Sequence, residues 1–264
     1  MRKIYIGTGG IPLSCPPNTL KALSCIHDLG LNALEVEFVR GVHMSLSLAK
    51  QVGEEAASFG IKLSIHAPYF INLCSKEKFQ PSVKRILDSC RRAELMNAEP
   101  VVIHAGYYQG KSSEECMDMV AKGLEYLEKH TPVNIGLETT GKVSQFGTLD
   151  EIIALCKEHE NATPVFDFAH VYARYLGNYD FKKALNMLKK TLKIKHLHCH
   201  FSCIEFVEKD GGGYEKRHLP WDARSPDLSR VAELVKKEKI GFTLISESPE
   251  LEKDALRMKK EIFG

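Results

Sequence analysis

The sequence predicts a single-domain (β/α)8 barrel spanning residues 1–264. Three observations point there. Short apolar runs alternate eight times with longer amphipathic segments. The runs are apolar almost throughout, as strands buried on both faces of a parallel sheet must be. The chain has 264 residues, and a closed barrel of this kind needs about 250 as one domain.

The elements follow in order. The first strand is expected over Lys3–Thr8. It runs into Gly7-Thr8-Gly9-Gly10, which Ile11-Pro12 follows without a helix. A dinucleotide fingerprint needs a helix N-terminus there, so no nucleotide cofactor is expected. The first helix is Asn18–Leu29, with Asn18 as its cap and Gly30 as its stop. Strand 2, Ala33–Phe38, precedes helix Ser45–Phe59, which Gly60 closes. Strand 3, Lys62–His66, precedes helix Ser82–Met96. Strand 4, Pro100–His104, precedes helix Ser113–His130. Strand 5, Val133–Glu138, precedes helix Leu149–Glu158. Strand 6, Pro164–Asp167, precedes helix Phe181–Leu192. Strand 7 is Lys195–His200. After it comes the longest irregular stretch, Phe201–Pro226, before helix Leu228–Lys239. Strand 8, Phe242–Glu247, and helix Leu251–Ile262 complete the set. A loop as long as Phe201–Pro226 is usually functional.

Composition narrows the function. Hydrophobic residues make up 44% of the chain, enough for a packed core. A net charge of +2 gives no global basic field, so any nucleic-acid contact must be a local patch. Lys76, Lys78, Arg40, Lys111 and Lys142 lie in loops after strands and could form one. The lysines at 182, 183, 189, 190 and 193 fall on an outer helix and its end, and are expected to be a solvated face. The start of the chain lacks the apolar core of a signal peptide, and no run is long enough to span a membrane. The eight cysteines form no C-x-x-C pair and are expected to be reduced thiols in a cytoplasmic protein.

In such a barrel the chemistry sits at the C-terminal ends of the strands. Strand 2 ends near Glu37. Strand 3 ends at His66, strand 4 at His104, strand 5 at Glu138 and strand 6 at Asp167, with His170 three residues on. Strand 7 carries His196, His198 and His200, and strand 8 ends at Glu247. His218 lies in the long loop. Six successive strands thus bring His, Asp or Glu to one mouth, with few cations near. Buried carboxylates without partners are costly, and divalent ions remove that cost. Imidazole with carboxylate suits Zn, Mn or Fe. Eight candidate ligands exceed one four-coordinate ion and suit two or three. Such an arrangement can clamp an in-line displacement at phosphorus.

These residues resemble endonuclease IV, the metal-dependent apurinic/apyrimidinic endonuclease family. The resemblance is carried by His66-Ala67-Pro68-Tyr69 with Ile71-Asn72, by Ile103-His104-Ala105-Gly106, by Leu137-Glu138-Thr139 and by Asp167-Phe168-Ala169-His170. Lys216-Arg217-His218 and Glu247 extend it over nearly the whole chain. It implies a zinc enzyme of DNA repair, with Mn2+ as an alternative ion, that hydrolyses the phosphodiester 5′ to an abasic site. On that likeness His66 and His104 hold one ion and Glu138 bridges to a second. Asp167, His198 and Glu247 complete the second, and His170 and His218 hold the third. Glu138 and Glu247 are the catalytic carboxylates. Tyr69 matches a residue that enters the DNA stack, and Arg40 a second DNA contact. The chain departs from the family pattern at Lys216, where an aspartate ligand is usual; Glu215, one residue earlier, is the available substitute. On strand 7, His196, His198 and His200 share one face, with His198 expected to reach the metal and His200 the next candidate.

Two other classes fit part of the pattern. Single-metal sugar isomerases and epimerases of the same barrel superfamily need only a set such as Glu138, Asp167, His198 and Glu247, in which two glutamates move protons. They leave His66, His104, His170 and His218 without a task. A non-enzymatic metal binder is the third class, and ligands at the open strand ends argue against it.

Overall fold

The computed structural model describes residues 2–264, so the first residue of the expected 1–264 domain lies outside it. The strands of the barrel are β1 (Ile4–Gly9), β2 (Ala33–Glu37), β3 (Lys62–His66), β4 (Val101–Ile103), β6 (Ile135–Glu138), β8 (Ala162–Asp167), β9 (His196–Phe201) and β12 (Gly241–Ser246). Between them fall two short ribbons, β5 (Gly106–Tyr107) with β7 (Gln145–Phe146), and β10 (Cys203–Lys209) with β11 (Gly212–Leu219). The eight barrel strands pair in parallel and close, β12 returning to β1 through Ile4↔Phe242. All eight expected strands are present, each within two residues of its expected bounds.

The helices are α1 (Thr19–Asp28), α2 (Leu46–Phe59), α3 (Lys76–Met96), α4 (Ser113–Glu128), α5 (Leu149–Glu158), α6 (Phe168–Arg174), α7 (Phe181–Leu192), α8 (Leu228–Lys237) and α9 (Glu252–Phe263). Their starts are written in the sequence. Asn18 accepts from the Lys21 amide, and Ser112 and Thr148 form capping boxes with Glu115 and Glu151. Gly60 ends α2 with φ 67°, a left-handed turn that favours glycine. The main core is a large cluster between barrel and helices, and Ala169, Ala173 and Ile204 form a small second one where α6 meets β10. No helix among the described residues is long and apolar enough to cross a membrane.

Four features differ from expectation. Helix α3 starts at Lys76, not Ser82, and carries Pro81 within it. Proline breaks a ladder bond inside a helix, which is why the sequence pattern points to a later start. Helix α6 follows β8 without a loop because the Asp167 side chain caps it, accepting from the His170 amide at 2.6 Å. Phe201–Pro226 is mostly ordered: β10 and β11 form an antiparallel hairpin that packs on α6. Finally, Cys15 and Cys25 are joined by a disulfide, with Cα atoms 5.7 Å apart, which corrects the expectation that all eight cysteines are free. The loop after β1 folds back onto α1 and brings them together, a tertiary contact their ten-residue spacing does not announce. The other six are free thiols.

Candidate metal centre

Glu138, at the end of β6, is the hub of the mouth. Its Oε2 lies 3.2 Å from His66 Nε2 and 2.8 Å from His104 Nε2. Its Oε1 lies 3.0 Å from His170 Nδ1 and 3.1 Å from His200 Nδ1. The same His200 nitrogen is 3.3 Å from Glu247 Oε1 and 3.9 Å from Asp167 Oδ2. His218, on β11, reaches within 3.9 Å of Glu247 Oε2 and is held by the Ser202 hydroxyl at 2.6 Å. Among the described residues five sets of candidate ligand atoms lie within 4.8 Å of one another. Three of them hold the expected mouth residues: His66, His104 and Glu138; Glu138, Asp167, His200 and Glu247; His170, His218 and Glu247. The other two, Glu35 with His198 and His200, and Glu35 with Glu37 and Glu247, lie around Glu35. Glu138 joins the His66 set to the Asp167 set, and Glu247 joins the Asp167 set to the His170 set.

One expected ligand sits in a different group, with Glu35 and His200. His198 is not in the mouth. Its Nε2 sits 2.9 Å from Glu35 Oε2, one step down the barrel. His200 takes the place expected of it. Both point inward, as period-two alternation requires, but β9 pairs Asp167 with His200 and Val165 with His198. The stagger of neighbouring strands therefore sets His200 level with Asp167.

A bulge decides which residue of the hairpin faces the mouth. On the hairpin Glu205 pairs with Arg217 while the next residue, Phe206, pairs with Glu215. Lys216 is the extra residue and is exposed. A bulge re-aims side chains, and here Glu215 turns into the mouth. Its Oε2 stands 3.3 Å from His170 Nε2 and its Oε1 3.1 Å from Lys142 Nζ. Gly141 makes the room: a Cβ there would lie 1.9 Å from Glu215 Oε2.

The residues fit divalent ions. Asp167 Oδ2 and Glu215 Oε2 are buried without hydrogen-bond partners, and Glu215 lines a cavity of about 310 Å³ together with His66, His104, His170, His218 and Glu247. Lys142 is the one lysine or arginine that lines this cavity among the described residues. Its backbone is fixed by the buried Arg174, whose guanidinium donates to the carbonyls of Lys142 and Gln145. The two DNA-contact candidates stand at the rim. Tyr69 is 58% exposed and lines the cavity. Arg40 is exposed in the turn after β2, and the Tyr69 amide donates to Val39 in that turn. Arg40 does not line the cavity. Phe70, 57% exposed beside Tyr69, extends this apolar rim and was not singled out by the sequence. Neither was Glu35 on β2, which lies inside an apolar run and turns into the barrel.

Without ions the cluster holds extra protons. Burial alone pushes the Glu138 carboxyl up, yet His104 and His200 beside it hold it well below the usual carboxylate range. Burial opposes protonation of His66, but Glu37 and Glu138 raise it to about 10. Burial pushes Glu37 up to about 7 and Glu247 up to about 8. His198, whose one carboxylate partner among the described residues is Glu35, is lowered by its burial. Above pH 6.5 the raised groups dominate, so the folded chain binds more protons than the unfolded chain and stability falls as pH rises. The metal-free protein is therefore expected to melt at a lower temperature at pH 9 than at pH 7, followed by circular dichroism in a chelator. Ligation needs imidazole without its proton, so zinc should flatten or reverse that slope. A higher melting temperature at pH 9 in chelator would contradict the proton count.

Comparison with known proteins follows the geometry. A family model described as xylose isomerase-like TIM barrel matches residues 23–262. An uncharacterized protein of Methanocaldococcus jannaschii is 36% identical over 97% of this chain and 96% of its own length. A probable endonuclease 4 of Staphylococcus carnosus is 31% identical over 64% of this chain, and the match spans 60% of that protein. Among solved structures, endonuclease IV from Thermus thermophilus superposes with a TM-score of 0.70 at 20% identity, covering 97% of this chain and 98% of that one. The 3-keto-D-glucoside 4-epimerase from E. coli gives 0.67 at 16% identity, covering 98% of each. These two likenesses speak to the fold.

Proposed function

The chain belongs to the xylose isomerase-like TIM barrel family, and from that premise we propose that it is a metal-dependent phosphodiesterase that nicks DNA 5′ to abasic sites. One observation carries the proposal: the mouth presents several ligand sets, not one, and three of them are linked through Glu138 and Glu247. A sugar isomerase needs a single set. The sequence likeness to endonuclease 4 over part of the chain supports the same direction.

His66, His104 and Glu138 would hold one ion, Glu138, Asp167, His200 and Glu247 a second, and His170, His218 and Glu247 a third, with Glu215 beside His170. When bound, such ions supply Lewis acidity at phosphoryl oxygens and a nucleophile at neutral pH. The chain's own residues do the rest. Lys142, released from Glu215, offers a charged donor to a phosphate oxygen. Tyr69 and Phe70 present apolar faces on the rim where an unstacked lesion leaves a gap. Ser202 fixes the His218 ring, and Thr139 fixes His170 through its carbonyl at 3.0 Å.

The test is a duplex oligonucleotide with one abasic site, incubated with zinc- or manganese-loaded protein. A nick 5′ to the site, leaving an end that a polymerase extends, is expected, and a chelator should abolish it. No cleavage above background rejects the proposal. A second reading has its own support: Glu138, Asp167, His200 and Glu247 alone make the two-Glu, Asp, His set of a single-metal epimerase. Turnover of a ketohexose by a protein that binds one ion and leaves the oligonucleotide intact would establish it.

A further inference from the structure

We propose that Glu35 is a positioning residue of the metal centre, fixing the tautomer and the ring plane of His200 from the floor of the mouth. The inference rests on the metal-binding proposal above and assigns Glu35, which also groups with His198 and His200, a role through His200.

Glu35 is fully buried at the middle of β2. Three contacts from two other strands converge on it. The Ser64 hydroxyl on β3 donates to Oε2 at 2.7 Å. His198 Nε2 lies 2.9 Å from the same oxygen. Oε1 faces His200, with Nε2 2.8 Å away. Oε1 and that Nε2 are both buried, and neither makes an aligned hydrogen bond. Each is therefore the partner that the other lacks. Ser64 and His198 hold one carboxylate oxygen in place, and the second is aimed at His200.

The opposite edge of the His200 ring supplies the chemical consequence. Nδ1 is the nitrogen among Glu138, Glu247 and Asp167. To ligate through Nδ1 the imidazole must be neutral and carry its proton on Nε2. A carboxylate that accepts from Nε2–H selects that tautomer, fixes the ring and makes the ligand more basic. Glu35 is placed to do this. His198 then acts one step further away, as a clamp on Glu35, which explains a buried histidine so near the centre and outside it.

Glu35→Gln keeps the volume and removes the charge. Loss of such an outer carboxylate typically weakens metal affinity by about 10–100-fold, and a loss of that size is expected for one bound ion, measured by competition with a chromogenic chelator. The visible bands of the cobalt-substituted protein should shift as well. A purely structural role would lower the melting temperature of metal-free and metal-loaded protein alike and leave affinity and spectrum unchanged. The wild-type protein gives a test independent of any variant: long-range 1H–15N spectra of the zinc-loaded form should show the His200 proton on Nε2. A proton on Nδ1, or a folded Glu35→Gln protein with affinity within twofold of wild type, overturns the inference. If that variant does not fold, the wild-type spectra decide. A wild-type protein that binds neither zinc nor cobalt instead rejects the metal proposal itself.

Discussion

Glu138→Gln is expected to lower nicking of an abasic-site duplex by about 10³-fold or more, since losing a shared ligand removes several kcal/mol of charge stabilisation and each 1.36 kcal/mol is tenfold in rate. Among the described residues no other in the mouth meets four histidines. One carboxylate oxygen serves His66 and His104 and the other serves His170 and His200. An amide keeps the shape but offers a single oxygen, and its NH2 would face a pair of imidazoles that must also offer lone pairs to metal. The variant should lose affinity for two ions rather than one, because Glu138 belongs to two ligand sets. Elemental analysis beside the cleavage assay separates this from a folding defect, as does a melting curve of the loaded protein. Activity within about threefold of wild type, with metal content intact, would contradict a shared-ligand centre.

The sequence carries the face on which each residue lies far better than the height at which it lies. Eight apolar runs give eight strands, and the residue ending each run gives most of the mouth. His66, Glu138 and Asp167 are last in their strands and His104 and Glu247 follow theirs directly, so their height needs no register. His196, His198 and His200 alternate onto one face, and nothing local ranks them. The pairing of β9 with β8 ranks them, and it depends on the stagger of the whole barrel. Glu35 is hidden for the same reason. Within Ala33–Glu37 it looks like an interruption of an apolar strand, and only barrel closure shows that Ser64, His198 and His200 meet it.

The long segment after β9 failed to declare itself for a different reason. Its two strands are rich in charged residues on an exposed ribbon, so neither burial pattern nor β-propensity marks them. The turn at Asp210–Gly211, with φ 52° and 77°, is the one local signal of a hairpin. The bulge at Lys216 is invisible without the partner strand. It also decides which acid the hairpin offers: the chain carries one extra residue and turns Glu215, in place of Lys216, toward His170. The disulfide between Cys15 and Cys25 belongs to the same class, a contact created by a loop folding back.

His200→Ala and His198→Ala should separate by at least about tenfold in activity, although the two histidines are two residues apart on one strand; the arithmetic is that each 1.36 kcal/mol is tenfold in rate. His200 touches Glu138, Glu247 and Glu35, so its loss removes a ligand and strands the Glu35 oxygen that faces it. A fall of about 10²–10³-fold in cleavage is expected, with one ion lost, as a ligand contributes several kcal/mol through the charge it helps to hold. His198 touches Glu35 alone among the mouth's acids. Its removal leaves that carboxylate with Ser64 and His200, a destabilisation of about 1–3 kcal/mol for a buried acceptor that loses a partner. That cost should appear in the melting temperature of the metal-free protein, and only weakly, through a looser Glu35, in activity. The reverse pattern, with metal and activity lost in His198→Ala and kept in His200→Ala, would mean that β9 slides by two residues when the ions bind. A shift of that size would have to break the ladder from Gly241↔His196 to Ser246↔Phe201, which makes the pair of variants a test of the barrel's register as much as of its chemistry.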